Sequence, residues 1–279
     1  MILPAPDPAF EWQADASGPV LVCRALAPYA AHFFTTRPWA LGSRDPAGSE
    51  AGPWAQVAAA IGVDAARLIR MRQVHGAEAI EALPGLPPQT ADIVIADTAG
   101  LALAVQAADC IPLLIVDVHT GAAAAAHAGW RGLVAGAPRR AVEALARAYN
   151  SRPDQLMAMA GPSIGACCYE VGADVRAAFT AAGAEDVERW FRAERLDLPD
   201  NPPFRPLPSR ARAGHWYFDG WRCLRDQLQA AGVLREFIFS PQLCTASHSV
   251  FCSFRRDGTA AGRLAGVIRV TPAGGDSPA

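Results

Sequence analysis

The chain has 279 residues, 51% hydrophobic and 19% charged, with a formal charge of −2. That composition supplies an ordinary apolar core and excludes the sparse-hydrophobe, high-charge signature of disorder. A pI near 6.3 gives no basic footprint for nucleic acid, and no run approaches the ~18 apolar residues of a membrane helix.

In chain order, "MILPAPDPAFEWQ" lacks the basic and apolar regions of a signal peptide, and residues 1–18 read as a loose end. Residues 19–37 alternate apolar runs with turns and predict strands. Residues 53–66 predict a helix, and "RLIRMRQV" (67–74) a strand. After a Pro-containing loop come "ADIVIADT", "LALAVQ" and "IPLLIVDV", three apolar runs of strand length. Thr120-Gly121 is a predicted tight turn into "AAAAAH". From Trp130 a helical pattern runs to about Asn150, interrupted near Pro138.

"LMAMAGPSIG" reads as a buried strand entering a Gly/Pro loop, and "ADVRAAFTAAG" as a helix. Residues 196–214 hold five prolines and predict an extended loop inserted within the fold. The helix after it is capped by Asp219. The strands "EFIFS" and "LAGVIRV" close the chain, and 271–279 is a frayed tail. Helices and strands mix without strict βαβ alternation. The expected fold class is therefore α/β in the broad α+β sense, one layered domain over 1–279 with mixed sheets. Seven scattered cysteines suggest no disulfide framework and point to a reducing, cytoplasmic setting.

Three residues at predicted strand ends carry metal-ligand chemistry: His75 in "QVHG", Cys110 in "AADC" and His127 in "HAGW". One thiol and two imidazoles suit Zn²⁺, and three protein ligands leave the fourth position open, as in catalytic sites. Spacing alone does not bring them together. A two-residue turn at Thr120-Gly121 would put His127 opposite Leu114 and leave Cys110 on the order of 13 Å further along the strand. The chain would have to curl at "AADC", with Pro112 allowing an irregular strand start. The plainer reading is that Cys110 fills core and the histidines are only hydrogen-bonded.

Other residues carry weaker signals. His32, His119, His215 and His248 show no partner pattern, and Cys167-Cys168 reads as packing under the Gly/Pro loop. "GPSIG" lacks the Lys-Ser/Thr ending of a phosphate-binding P-loop. "SFRRDGTAAGR" reads either as an anion-binding loop or as a solvated arginine turn. Arg131, beside Trp130, either binds an anion or stacks on the ring.

Together the segments resemble the bacterial laccase-domain, or polyphenol-oxidase-like, family. Its members are described as purine nucleoside phosphorylases, and some are named peptidoglycan editing factor. The matching stretches are "FTTR" (34–37), "RQVHG" (72–76), residues 91–117, "HAGWRG" (127–132), "GPSIGACCYEVG" (161–172), "CT" (244–245) and "SFRRDGTAAGR" (253–263). They stand in family order and span nearly the whole chain. Two stretches depart from the pattern: "PWALGS" replaces a Gly-Gly-Val-Ser-like loop, and "AGR" (261–263) replaces Thr-Gly-Arg.

The resemblance implies a layered fold similar to a cysteine-hydrolase superfamily that includes a deamidating toxin. It also implies a zinc site at His75, Cys110 and His127, to which Cu²⁺ binds as a competitor. The implied reaction splits adenosine, inosine and 5′-methylthioadenosine with phosphate, alongside adenosine deamination. Such a reaction needs an anion site and a proton for the departing purine. Arg37, Arg131, Arg255, Arg256 and Arg263 are the phosphate candidates. Asp109 is a proton carrier, a partner to a ligand histidine, or a cap at the strand start.

The implied partners are a purine nucleoside and phosphate, with no nucleic acid or membrane and a monomeric default. The main alternative is a cysteine hydrolase or amidase in peptidoglycan-precursor editing, with Cys110 as nucleophile and His127 or His75 as its base. A zinc-stabilised binding protein is a third reading. A conventional copper oxidase is disfavoured, because its clusters draw on many histidines in His-x-His pairs and this chain has six, none so paired.

Overall fold

The computed structural model describes residues 2–42, 51–85, 87–185 and 187–271. Strands in the first third are β1 (Phe10–Gln13), β2 (Val20–Cys23), β3 (His32–Phe34), β4 (Leu68–Ile69), β5 (Ala79–Glu81) and β6 (Ile93–Ala96). The centre holds β7 (Ala102–Ala107), β8 (Ile111–Asp117), β9 (Ala123–Ala128), β10 (Leu156–Ala160) and β11 (Glu170–Gly172). Then come β12 (Phe191–Arg192), β13 (His215–Phe218), β14 (Ile238–Phe239) and β15 (Leu264–Arg269). The helices are α1 (Ala51–Ile61), α2 (Trp130–Val134), α3 (Ala137–Tyr149), α4 (Ala173–Ala181), α5 (Gly220–Ala230) and α6 (Phe254–Asp257).

These strands form two six-stranded mixed sheets, ordered β1-β2-β3-β15-β7-β4 and β14-β10-β8-β9-β6-β5, plus the small sheet β11-β13-β12. Burial on alternate residues stacks them. On β8, Ile111, Leu113 and Ile115 pack toward α3 and α5, whereas Leu114 and Val116 meet Phe34, Val105 and Ile268 of the other sheet. The outer face of that other sheet, with Val22, Phe33, Ala104 and Val267, is covered by Trp54, Val57 and Ile61 of α1. The result is helix, sheet, sheet, helix. Strands β7, β8 and β9 are buried on both faces, which is why their sequences are continuous apolar runs rather than alternating ones.

Local sequence explains several boundaries. Gly136 takes φ +75 between α2 and α3, and Pro138 sits in the first turn of α3, where its missing N–H costs nothing. Asp219 accepts from the Arg222 N–H and caps α5, and 196–214 is an extended loop. Leu198, Phe204 and Leu207 of that loop pack on the fold.

Two expectations change, and a third falls outside the described residues. Phe10–Gln13 of the expected loose end is an edge strand paired with β2, and Trp12 stacks on Phe251 at 6.0 Å. The 67–74 strand is reduced to Leu68–Ile69. The expected frayed tail, apart from Thr271, lies outside the described residues.

Candidate active site

Three ligand atoms converge where both large sheets end. Cys110 immediately precedes β8, His127 is the penultimate residue of β9, and His75 lies in the loop after β4. Their nitrogen and sulfur atoms all lie within 4.8 Å of one another, with His127 buried, Cys110 half-buried and His75 exposed. The two imidazoles meet edge to face, with centroids 4.8 Å apart.

The hairpin register explains how Cys110 reaches His127. The turn is not the expected two-residue one. Asp117 accepts the backbone N–H groups of His119 and Thr120 on its carboxylate and that of Gly121 on its carbonyl, and its own N–H goes to Ala122. The resulting four-residue loop moves His127 from opposite Leu114 to opposite Pro112. The remaining gap is closed at Asp109, whose φ of +88 bends the chain into β8.

The residue that organises the cluster is one that sequence reasoning missed. Asp92 is fully buried and accepts from His127 Nδ1 at 2.8 Å. Its carboxylate also receives the backbone N–H groups of Val74, His75 and Gly76 at 3.1, 3.0 and 2.7 Å. It therefore holds the His75 backbone at φ +65 and fixes the tautomer of His127, leaving Nε2 for the cluster. This is the carboxylate–histidine arrangement that orients metal-ligating imidazoles.

Burial opposes charge on both Cys110 and His127, yet each charges the other. The flanking histidines bring the Cys110 thiol down to about 6, and the thiolate and Asp92 raise His127 to about 9. The donor set and spacing fit a metal ion. Gly129 supplies the space: a Cβ there would stand 2.7 Å from Cys110 Sγ and 3.3 Å from the His75 ring.

The cluster opens into a cavity of about 310 Å³, at the small end of ligand sites. Met71, Ile164, Trp130, Tyr169 and Phe254 give it apolar and aromatic walls, and Arg131, Arg255 and Arg263 bring positive charge.

The family model described as "Multi-copper polyphenol oxidoreductase laccase" matches residues 33–271. The chain belongs to this laccase-like family. It is 38% identical over 215 residues to purine nucleoside phosphorylase SCO2081 of Streptomyces coelicolor, covering 76% of this chain and 78% of that one. It is 34% identical over 251 residues to a purine nucleoside phosphorylase of Deinococcus radiodurans, covering 85% and 88%. Among solved structures, YlmD from Geobacillus stearothermophilus superposes with a TM-score of 0.73 at 28% identity, over 93% of this chain and 98% of that one. The hypothetical protein YfiH of Bacillus licheniformis shares the fold, with a TM-score of 0.76 at 23% identity over 93% and 99%.

Within this laccase-like fold the arginines divide. Arg131 stacks its guanidinium on Trp130, 4.2 Å from the ring centroid. Arg255 lies over Tyr169 at 5.1 Å and donates to the carbonyls of Cys168 and Glu170. Arg263 also lines the cavity; its backbone N–H donates to Leu41 O, so the two departing stretches touch each other, and its guanidinium donates to the carbonyls of Ala261 and Gly262. Arg37 and Arg256 do not line the cavity. Arg37 donates to Ser249 O, Phe251 O and Asp257. Arg256 donates to the carbonyls of Thr245, Ala246, His248 and Phe251. Both staple the 245–257 loop, because a guanidinium's planar fork satisfies several carbonyls at once.

Asp109 also departs from one expected role. Its carboxylate accepts from Thr245 Oγ1 and the Arg255 N–H, each at 2.6 Å, and the partner of His127 is Asp92 instead. Asp109 does line the cavity, and burial raises its pKa. His32 is structural: Nε2 accepts from Cys23 N and Nδ1 donates to Ala30 O.

Proposed function

We propose that this chain is a zinc-containing purine nucleoside phosphorylase acting on adenosine, inosine and 5′-methylthioadenosine. The observation that carries the reading is the convergence of the His75–Cys110–His127 cluster with Arg131, Arg255 and Arg263 on one aromatic-walled cavity. The names of relatives similar over three-quarters or more of the chain support the same chemistry.

In this reading the aromatic side chains hold the purine face, and the three arginines hold phosphate beside C1′ by charge-assisted hydrogen bonds. A phosphate oxygen bonds to C1′ as the C1′–N9 bond breaks, and the electron pair leaves with the purine. Asp109, whose pKa burial raises, is the proton source for that base. His75, Cys110 and His127 would hold the ion, which supplies Lewis-acid polarisation of a substrate oxygen. Cu²⁺ competes for the same donors. Adenosine deamination, in which water adds at C6 and the C6–N6 bond breaks to release ammonia, belongs to the same cavity. In this reading the chain acts as a cytoplasmic monomer.

Chromatography of adenosine incubated with zinc-loaded protein, with and without phosphate, tests this. Phosphate-dependent adenine is expected; inosine formed without phosphate reports deamination. Absence of both rejects the reading.

One observation favours a second reading. Asp92, His127 and Cys110 line up as orienter, base and thiolate, the arrangement of a cysteine nucleophile, which in this second reading would act as a hydrolase or amidase on peptidoglycan precursors. Under the phosphorylase reading zinc protects Cys110 from alkylation. A substrate-derived covalent adduct on Cys110 selects the hydrolase.

A further inference from the structure

A second convergence of sulfur lies behind the cavity wall. The Sγ atoms of Cys167, Cys168 and Cys244 lie within 4.8 Å of one another, and all three residues are buried. They come from loops far apart in sequence: Cys167 and Cys168 from the turn before β11, Cys244 from the segment after β14. The Gly165 N–H donates to Cys244 Sγ at 3.4 Å. Ser247 Oγ lies 3.6 Å from Cys168 Sγ and 3.9 Å from Cys167 Sγ. Ile164, Ala246 and Trp221 seal the group.

We infer that Cys167, Cys168 and Cys244 form a second metal site, a closed thiolate site for a soft d¹⁰ cation such as Zn²⁺, Cd²⁺ or Cu⁺. Three points separate this from core packing. A disulfide employs two sulfurs, whereas here three meet about one point, at separations compatible with the ~3.8 Å between sulfurs that metal–sulfur bonds of about 2.3 Å impose. Soft thiolates without oxygen or imidazole partners select such cations. An N–H aimed at sulfur and a hydroxyl between two sulfurs are the contacts that anionic thiolates require in a buried setting.

The placement gives the site a task. Thr245, next to Cys244, holds Asp109, and Tyr169, next to Cys168, lines the cavity. A cation here ties two loops of the active-site wall together, as closed structural sites do.

The test uses the full chain carrying Cys110→Ala, so that the first cluster contributes no thiolate. Cd²⁺ titration is read by the ultraviolet sulfur-to-cadmium charge-transfer band. A band saturating at one Cd²⁺ per chain is expected, falling by about a third in Cys168→Ser and by at least that in Cys244→Ser. No band, or a band indifferent to both substitutions, overturns the site. A measurement without substitutions in the trio guards against misfolding. Mercurial titration of zinc-loaded Cys110→Ala protein should release one additional zinc beyond that removed by mild chelation. Release of none, or a mass two daltons low from a disulfide, overturns it.

Discussion

Asp92 Oδ1 lies 2.8 Å from His127 Nδ1 and also accepts the backbone N–H of His75 at 3.0 Å. One buried carboxylate thus positions two of the three candidate ligands, one through its ring and the other through its backbone. Asp92→Asn keeps the shape but removes the charge and presents an N–H toward one of the donors. The expected outcome is a 10–100-fold loss of zinc affinity, the usual effect of altering such a partner, read by competition with a chromophoric chelator. A melting curve should show a stability loss of roughly 2–3 kcal/mol, since charge-assisted bonds to buried backbone are lost.

The metal-free protein should show a reactive Cys110. Its thiol is brought from an ordinary 9.0 to about 6, so the thiolate dominates above pH 6 and is lost as pH falls through that value. Alkylation followed by mass spectrometry should give a rate that rises through pH 6 and then levels. His127→Ala should move the inflection up toward 9, and an unmoved inflection would contradict the pairing.

Gly129 is needed for space rather than conformation, since its φ of −75 suits any residue. Gly129→Ala should abolish zinc binding while the fold persists, because its methyl would press on Cys110 Sγ and the His75 ring. Gly220→Ala is the control: the added Cβ meets its neighbours at 3.5 Å or more, and zinc content should match that of the parent. Both are read by metal analysis and circular dichroism.

The arginines should separate by readout. Arg131→Gln, which changes cavity-lining charge, should raise KM for phosphate at least tenfold with little change in melting temperature. Arg256→Gln should leave that KM within twofold but cost about 2 kcal/mol of stability, because four carbonyls of one loop lose their donor. Steady-state kinetics beside thermal melts decides between the two patterns.

Much of the architecture was legible, because apolar runs such as "IPLLIVD" and "LALAVQ" are buried on both faces and leave few alternatives. The site was less so. The sequence carries no local mark of the four-residue loop, which depends on Asp117 capping two backbone N–H groups, and a two-residue shift in register decided whether Cys110 could meet His127. Their convergence was to be expected from the motifs resembling the laccase-like family rather than from spacing. Asp92 left one usable signal, an acid opening the apolar run "IVIA", where an unpaired carboxylate would be costly. Arginine chemistry is identical whether the fork faces carbonyls or a cavity, so Arg37 and Arg256 could not be told from Arg131 before the loops were in place.

The central claim, that the metal-ligating cavity transfers a ribosyl group to phosphate, is tested most directly by ³¹P NMR. Zinc-loaded protein is incubated with inosine and inorganic phosphate, with Cys110→Ala run in parallel. Growth of a ribose 1-phosphate resonance equal to the hypoxanthine released, absent in the Cys110→Ala protein, is the predicted result. Hypoxanthine release without a new phosphorus resonance, or an equal resonance from the variant, would contradict it.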